Sequence, residues 1–319
     1  MHEFELINNY LKKLSIKNIA SLKLNDDVFF DKKNKLVISV DTYIEGCHFI
    51  NFKNPYLVIK KIIRSSISDL VCKGVFPKYY FISASGNKKN FNKLNLKKIT
   101  KSLNEEQRKY KILLSGGDTV FSKNLSFTVT SIGFAKNIVF RNKTKVNDDI
   151  YVTGNLGDGY IGLLVLKKKI KLNSYLNNYF INKYFMPDIR YSLINNLKKI
   201  ANASIDISDG LLSDLEKLIN KQNLSYKIFL DKVPISYNLL KILKNKKLLK
   251  KNFISKGDDY QILFTARKSK RILIKRIAKL TKNKISRIGY MKKNNTKSSV
   301  VNGLNVKIAL KNKGYLHTF

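Results

Sequence analysis

The sequence contains few cysteines, few acids and no long apolar run, and each shortage excludes a class of protein. Its 319 residues include two cysteines, Cys47 and Cys72, which provide neither a disulfide framework nor a CxxC pair. We expect both thiols to be small core residues in a reducing cytoplasm. No stretch approaches the roughly 18 consecutive apolar residues of a transmembrane helix. The sequence therefore predicts a cytoplasmic protein that has no membrane partner.

The chain is strongly basic, with 62 Lys and Arg against 22 Asp and Glu and a formal net charge of +40. Most of this excess is Lys, whereas Arg provides the better fork for bases and phosphates. Lys, Asn and Ile are abundant throughout, as expected of AT-rich codons. Diffuse enrichment of solvated surfaces in Lys therefore explains the charge better than a nucleic-acid-binding surface does. We expect no nucleic-acid partner, although the charge should steer anionic ligands towards the protein.

Strand-like runs alternate with helix-like runs, which indicates a mixed α and β protein. Runs rich in β-formers occupy 36–40, 79–85, 112–115, 125–133, 149–154, 227–230 and 261–266. Helical spacing covers 55–72, 92–109, 159–168, 189–200, 209–221 and 269–281. The polar segment 140–149 follows a strand and precedes a new strand–turn–helix unit. It predicts a boundary between a first domain, residues 1–142, and a second domain, residues 143–319.

The scarce acids recur at the ends of predicted strands and in turns. Asp27 follows Asp26 in the turn "LNDDVFF", and Asp41 ends the apolar strand "LVISV". Asp69 lies beside the apolar face of the helix "IIRSSISDLVCKG", where a carboxylate needs a partner. Asp118 follows two glycines in "ILLSGGDTV", which lacks the GKS or GKT of a Walker A loop. Each motif taken alone is also consistent with an ordinary polar turn.

The segment "ASIDISDGLLSDLEKL" has the densest acids. Asp206 and Asp209 stand three residues apart at a strand-to-helix junction, so their side chains can converge on one point. Ser208 or Asp209 is a suitable N-cap for the helix. We expect Asp214 and Glu216, within that helix, to be ordinary solvated charges.

Aspartates gathered without many His or Cys favour hard cations, above all Mg²⁺. Several carboxylates in one pocket repel each other, so the site should be electrostatically unfavourable until a metal ion binds. A site for several Mg²⁺ ions without an evident nucleophile triad is typical of phosphoryl transfer, in which positioning and charge neutralisation dominate.

These motifs, in this order, resemble the thiamine-monophosphate kinase family. That family belongs to a superfamily that includes aminoimidazole ribonucleotide synthetase and selenophosphate synthetase. The resemblance covers nearly the whole chain. Its segments are "NDDVFF", "SVDTYIEGCHF", "SISDLVCKGVFP", "SGGDTV", "VTGNLGDGYIGL", "IDISDGLLSDL", "KGDDYQILFT" and a terminal "KGY".

The resemblance implies an α+β fold of two mixed α/β domains of the aminoimidazole ribonucleotide synthetase-like type. The N-terminal domain would bind ATP and several Mg²⁺ ions and form the core of a homodimer, and the C-terminal domain would complete the active site. The implied reaction converts ATP and thiamine monophosphate to ADP and thiamine diphosphate by direct in-line transfer, without a phosphoenzyme.

The resemblance also assigns roles to residues at matching positions. Implied metal ligands are Asp27, Ser39, Val40, Asp41, Asp69, Asp118, Asp206 and Asp209, with Asp69, Asp118 and Asp209 also catalytic. Implied ATP contacts are Gly117, Asp118, Arg141 and Ser208, and implied thiamine-phosphate contacts are His48, Asp258 and Tyr315.

Several positions depart from the family pattern. Asn25 replaces a usual Gly but can adopt a left-handed conformation. Val40 replaces a common Thr, which leaves only main-chain ligation at that position. Val120 replaces a second Thr, and Lys256 and Asp258 stand in a motif that is usually Gly-Gly-Glu-Asp. Because Asp258 is one methylene shorter than Glu, any loss should fall on substrate affinity, and we expect an active enzyme.

Two alternatives remain open. Another ATP-dependent member of the superfamily is possible, but a selenophosphate synthetase should have a reactive Cys or selenocysteine near its N-terminus. A hydrogenase-maturation member should end in a modifiable Cys, whereas this chain ends in "LHTF". A basic nucleic-acid-binding protein would explain the charge and not the ordered Asp motifs.

Overall fold

The structure, a computed structural model, describes residues 3–246, 249–294, 297–309 and 314–315. Its α-helices are α1 (Glu3–Leu6), α2 (Pro55–Cys72), α3 (Lys93–Tyr110), α4 (Asp158–Leu166), α5 (Ser174–Phe185), α6 (Ile194–Ile200), α7 (Leu211–Leu218), α8 (Tyr237–Asn245) and α9 (Arg271–Leu280). Short π or 3₁₀ turns span Ile7–Leu11, Lys12–Ser15, Ile19–Leu24, Tyr191–Leu193, Leu230–Lys232, Lys250–Asn252 and Lys268–Lys270.

The strands form two six-stranded sheets. The first sheet contains β1 (Phe29–Asp31), β2 (Leu36–Ile44), β3 (Pro77–Gly86), β4 (Leu113–Gly116), β5 (Thr119–Phe121) and β6 (Ser126–Phe134), in the order β1-β2-β6-β3-β4 with β5 also pairing with β3. The second contains β7 (Asp149–Thr153), β8 (Ala203–Asp206), β9 (Leu224–Phe229), β10 (Ile262–Ala266), β11 (Ile285–Lys293) and β12 (Ser299–Val301), in the order β12-β9-β11-β7-β10-β8.

Helix α2 contacts elements of both sheets. It begins at Pro55, where the Asn54 side chain accepts a hydrogen bond from the Leu57 N–H, the usual arrangement of an N-cap. The helix packs on β2 and β6 of the first sheet and on α3, and it also contacts α5, α6 and β8 of the second half. Nearly all its side chains are buried, polar ones included. Polar groups of α2 must therefore find partners inside the protein.

Alternation along β2 places two kinds of side chain on opposite faces of the first sheet. Ser39 and Tyr43 are buried on the face that packs against α2, and Asp41 is half-buried on that face. The other face remains exposed and apolar, with Val40, Ile44, Phe81, Leu113, Val120 and Phe134 accessible to solvent. An exposed apolar sheet face of this extent is typical of an interaction surface.

The second half has a core of its own. Helix α7 packs against β8 and β10, and α9 packs against β11 and α6. All five residues of β7 and of β10 are buried, as expected for central strands covered on both faces. Within the described part of the chain, every helix is too short or too polar to cross a bilayer.

Each helical run predicted from periodicity contains a helix, and each predicted strand is present. The pattern missed α5 and α8 and the strands β1, β5, β11 and β12. Helix α5, "SYLNNYFINKYF", is rich in Asn and aromatics, which are modest helix formers, so its helicity depends on packing against α4. The prediction that both thiols are core residues is wrong for Cys47, which is exposed, whereas Cys72 is buried.

Candidate functional site

A cleft of about 600 Å³ lies between the two halves of the molecule. The first half contributes the loop before β1, the end of β2 and α2, and the second contributes the loops that flank α7 and precede β10. The cleft brings together most of the residues singled out in the sequence, namely Asp27, Val40, Asp41, His48, Asp69, Arg141, Asp206, Ser208, Asp209, Asp258 and Tyr315.

Three carboxylates, Asp41, Asp69 and Asp206, form what we call the floor acids of this cleft. In the described chain, none of the three makes an ion pair with Lys or Arg. The Tyr43 hydroxyl donates to Asp41 at 3.3 Å and the Ser68 hydroxyl donates to Asp206 at 2.8 Å. The Asp69 carboxylate receives no hydrogen bond from a described residue.

Burial and mutual repulsion make these acids hard to ionise. Desolvation, followed by the charge of Asp206, raises the pKa of Asp41 to about 7. Desolvation, with the charges of Asp41 and Asp206, raises the pKa of Asp69 well above its ordinary value. The pKa of Asp206 is also raised by desolvation. A cation placed among the floor acids would remove this penalty, so the cleft favours a positively charged ligand.

Asp26 and Asp27, which we call the loop acids, have cationic partners instead. The Lys73 ammonium lies 2.7 Å from Asp26 Oδ1 and 2.9 Å from Asp27 Oδ2. Arg141 Nε donates to Asp27 Oδ2 at 2.9 Å, and Arg141 Nη2 pairs with Asp27 Oδ1. Two acids and two cations therefore compensate each other at this end of the cleft.

The start of α7 differs from the prediction made for it. Its N-cap is Gly210, at φ 126°, and not Ser208 or Asp209. A Cβ at this position would lie 2.7 Å from the Ser255 main chain, so the sharp entry requires glycine. The helix start is capped from within, because Asp214 Oδ2 accepts from the N–H groups of Asp209 at 3.1 Å and Gly210 at 2.9 Å.

Asp214 and Glu216 are not the solvated charges that the sequence predicted. Asp214 is fully buried, and desolvation raises its pKa to about 7 even though the Lys217 ammonium lies 3.4 Å away. Glu216 is half-buried and accepts a hydrogen bond from the Tyr226 hydroxyl at 3.2 Å. Lys217 also pairs with Asp209. Packing of α7 against β8 and β10 encloses these charges, which helical spacing alone does not reveal.

The same cleft holds the three residues predicted to contact thiamine phosphate. His48 Nδ1 accepts from the Ile44 N–H at 3.0 Å. The Tyr315 N–H donates to the Asp209 carbonyl at 3.0 Å, which places a half-exposed phenol at the rim. Asp258 pairs with Lys61, a side chain that is only 1% exposed.

Three predicted site residues do not line the cleft. Ser39 is buried behind it and donates to the Ser66 carbonyl at 3.4 Å. Gly117 and Asp118 lie across the first sheet, where the Asp118 carboxylate is exposed and accepts from the Thr119 N–H at 2.8 Å.

The strand register shows how far Asp118 lies from the floor acids. Asp41 pairs with Val129, and Val129 pairs with Ile82. Two residues further along β3, the Ala84 N–H donates to the Asp118 carbonyl. Three strand spacings of about 4.8 Å put the Asp41 and Asp118 main chains roughly 14 Å apart. One chain therefore does not bring Asp118 to the cleft.

The donor set fits ions that share their coordination with phosphate. Among the described residues, no three Asp, Glu, His or Cys side chains converge to enclose an ion by themselves. Mg²⁺ usually takes one or two carboxylates and fills its remaining positions with water and substrate phosphates. Dispersed carboxylates around a large cleft are consistent with such sites.

Sequence reasoning missed Tyr43, Lys217 and Tyr260, which line the cleft. It also missed Lys61 and Lys73, which pair with acids that line it. A weak signal existed for Lys73, which interrupts the apolar run of "DLVCKGVF". Lys61 and Lys217 look like any other lysine of this chain, because their partners are distant in sequence or belong to the next helical turn.

Comparison with known proteins shows the family to which this chain belongs. Residues 24–135 match the family described as AIR synthase related protein, N-terminal domain. The thiamine-monophosphate kinase of Buchnera aphidicola subsp. Acyrthosiphon pisum is 35% identical over 99% of this chain and 98% of its own length.

Solved structures agree with this sequence similarity. The structure described as "AaThiL complexed with AMPPCP and TMP" superposes with a TM-score of 0.85 and 26% identity, over 99% of this chain and 97% of its own. A hydrogenase maturation protein HypE in complex with ATP has a TM-score of 0.67 at 15% identity, over 97% and 93% of the two chains, and this likeness shows the fold alone. The predicted fold class is therefore confirmed.

Proposed function

Since this chain belongs to the thiamine-monophosphate kinase family, we propose that it transfers the γ-phosphoryl group of ATP to thiamine monophosphate, giving ADP and thiamine diphosphate. The observation that carries the proposal is the cleft itself. Its lining includes the floor acids with Arg141 and Ser208, and it also includes His48, Asp258 and Tyr315. A nucleotide triphosphate and a phosphorylated acceptor can thus meet between the two halves.

Magnesium fits the acids at the centre of the cleft. We propose that Asp41, Asp69 and Asp206 would hold Mg²⁺, and that Asp209 would join them by exchanging its partner Lys217 for the metal. When bound, the metal neutralises phosphate charge during transfer. The fit rests on the absence of cationic partners for the floor acids in the described structure and on their raised pKa values.

The acceptor needs no general base. The phosphate monoester of thiamine monophosphate has a second pKa of about 6 and is already largely deprotonated at neutral pH. A bond forms between its oxygen and the γ-phosphorus while the bond from that phosphorus to the bridging oxygen of ADP breaks. The chain therefore has to align the two phosphates and screen their charge. His48 can act as a contact and need not move a proton.

The residues proposed to contact thiamine monophosphate include an aromatic ring and a carboxylate. The Tyr315 ring is 52% exposed and can cover a thiamine ring. One oxygen of Asp258 pairs with Lys61, which leaves the other available to the ligand. The surplus of basic side chains over the surface favours approach of two anionic substrates.

We also propose a homodimer through the outer face of the first sheet. Exposed apolar side chains on β2, β3, β4 and β6 supply the area for such an interface. Asp118 and Gly117 lie at the edge of the same sheet and remote from their own cleft. A second copy placed on this face would give these two residues a route to the partner's cleft, which is consistent with their predicted roles.

The decisive assay supplies purified protein with ATP, Mg²⁺ and thiamine monophosphate, and follows ADP and thiamine diphosphate. Thiamine replaces the monophosphate in a parallel reaction as an acceptor control, and EDTA replaces Mg²⁺ in a third. We expect product only in the first reaction. A folded protein that forms no ADP with thiamine monophosphate would contradict the proposed function.

A further inference from the structure

Lys73 is a completely buried lysine whose ammonium lies among predicted metal ligands. It directly follows α2, and its side chain reaches the two loop acids, 2.7 Å from Asp26 Oδ1 and 2.9 Å from Asp27 Oδ2. It also donates to the Ser204 carbonyl of β8 at 2.9 Å. Three acceptors satisfy the three N–H donors that an ammonium carries.

The main chain holds this lysine in place from both sides. The Lys73 N–H donates to the Leu70 carbonyl at 3.1 Å, and the Lys73 carbonyl accepts from the Val139 N–H at 3.0 Å. The ammonium is thus a tethered cation at a fixed point, between the first half and strand β8 of the second.

The loop acids have no oxygen left without a partner. Asp26 Oδ1 also accepts from the Asp27 N–H at 2.9 Å, and Asp26 Oδ2 accepts from the Arg141 N–H at 2.9 Å. Both oxygens of Asp27 pair with the Arg141 side chain. The floor acids differ, since no described Lys or Arg pairs with them. Of these five acids, the two loop acids therefore have cationic partners and the three floor acids do not.

We propose that the Lys73 ammonium takes the position of a divalent cation beside the loop acids. Metal ions then bind at the floor acids and not at Asp27, and the chain uses one metal ion fewer than its carboxylates could hold. A divalent ion at Asp27 would have to displace two cationic side chains, of which Lys73 is completely buried, whereas an ion at the floor acids relieves repulsion.

This inference rests on the proposed Mg²⁺-dependent transfer, but its readout is the number of bound ions. It can fail while kinase activity stands, and it can hold if the acceptor proves to be another phosphate.

The test counts Mn²⁺ bound to the full-length chain with a non-hydrolysable ATP analogue, by equilibrium dialysis and electron paramagnetic resonance. Asp27→Asn should leave the count unchanged, whereas Asp69→Asn should reduce it. Lys73→Met, which keeps the length of the side chain and removes its charge, should gain one ion per chain. Lys60→Met is the matched control, a buried lysine of α2 that pairs with Glu105 and Glu106 outside the cleft, and should not change the count.

A second measurement keeps the proposal testable if Lys73→Met folds poorly. Without metal, the loop acids of this variant lose a buried partner, so its melting temperature should fall below that of the wild type. Addition of Mn²⁺ should then raise the melting temperature of the variant by more than it raises that of the wild type. A lower Mn²⁺ count in Asp27→Asn would overturn the proposal, because Asp27 would then be a ligand despite Lys73. An unchanged count in folded Lys73→Met would overturn it as well.

Discussion

The ammonium of Lys61, on α2 of the first half, pairs with the Asp258 carboxylate of the second half. It also lies 3.6 Å from the centre of the Tyr184 ring, a cation–π contact. Desolvation lowers the pKa of Lys61, against the opposing charge of Asp258. The ion pair thus links the two halves at Asp258, one of the residues proposed to contact thiamine monophosphate.

Replacing Lys61 should therefore affect binding of one substrate selectively. Lys61→Met leaves Asp258 without its partner, which should cost about 3 kcal/mol of stability. The displaced carboxylate should raise KM for thiamine monophosphate about tenfold, equivalent to roughly 1.4 kcal/mol, with KM for ATP nearly unchanged. Steady-state kinetics with each substrate varied in turn checks this split.

Two controls accompany the Lys61 variant. Lys60→Met loses a buried ion pair of the same helix and should not alter KM for thiamine monophosphate. The double variant Lys61→Met, Asp258→Asn should recover part of the lost stability, because it removes both charges. Equal rises in KM for thiamine monophosphate and for ATP would contradict a role of Lys61 that is confined to binding of thiamine monophosphate.

Asp69→Asn should nearly abolish turnover and leave stability unchanged or higher. The raised pKa of Asp69 means that its ionised form is unfavourable in the metal-free protein, and Asn mimics the neutral form. Turnover and urea unfolding of the variant test both halves of the prediction. Asp231→Asn, an exposed acid on a surface turn, is the control and should retain full activity. Activity close to that of the wild type in Asp69→Asn would remove Asp69 from the site.

Stability of the metal-free protein should fall as pH rises from about 4 to 7. The pKa of Asp41 is about 7 in the folded protein, against an ordinary value near 4. Between these values the folded chain holds a proton that the unfolded chain has released. Each such group therefore removes up to about 1.4 kcal/mol of stability per pH unit. Asp69 and Asp214 shift in the same direction.

Thermal unfolding across this pH range and up to pH 8, with EDTA or with Mg²⁺, measures the slope. Mg²⁺ should raise the melting temperature most at pH 8, where the floor acids must ionise, and Asp41→Asn should flatten the metal-free slope. A metal-free protein that becomes more stable towards pH 8 would show that these carboxylates are not strained in the folded state.

Gly117→Ala should be far more damaging than Gly46→Ala. A Cβ on Gly117 would overlap the Ile82 carbonyl oxygen, so the loop that presents Asp118 must move. Gly46 also has a positive φ, 82°, but a Cβ there meets nothing within 4 Å, so its Ala variant should lose only about 1 kcal/mol. We expect Gly117→Ala to lose at least 2 kcal/mol more stability by urea unfolding and most of its turnover. Similar losses in the two variants would exclude this steric explanation.

The proposed dimer predicts a complementation pattern. Asp69→Asn and Asp118→Asn should each be inactive alone. If Asp118 acts in the cleft of the partner, a mixed and re-equilibrated sample should regain about a quarter of wild-type activity, since half of the dimers then contain one intact site of two. No recovery in a sample shown to contain mixed dimers would place both acids in the same chain's site.

The dimer interface itself can be tested by Leu113→Asp, which introduces a charge on the exposed apolar face of β4. Sedimentation should show a dimer for the wild type and a monomer for this variant. Tyr175→Asp, at an exposed position of α5, should remain dimeric. A wild-type chain that sediments as a monomer would exclude the proposed assembly.

The local sequence predicted much of the candidate site, because several of its carboxylates belong to motifs formed by neighbouring residues. The pattern of apolar and polar residues predicts which carboxylates lie at strand ends. Asp41 follows an apolar strand, and Asp206 and Asp209 lie at a strand-to-helix junction. The chemistry of the cleft could therefore be predicted, because carboxylates without many His or Cys favour hard cations.

Only the tertiary structure decided which charges compensate each other. Lys61 and Asp258 are 197 residues apart in the sequence, and Lys73 and Ser204 are 131 residues apart, yet each pair meets in the folded protein. Packing of α7 likewise buries Asp214, which helical spacing alone presents as a surface charge. The strand order separates Asp118 from the acids with which its motif associates it. The sequence thus determined which kind of ligand is predicted for this protein. Burial and long-range ion pairing, which depend on how distant segments pack, determined which carboxylates lack a cationic partner.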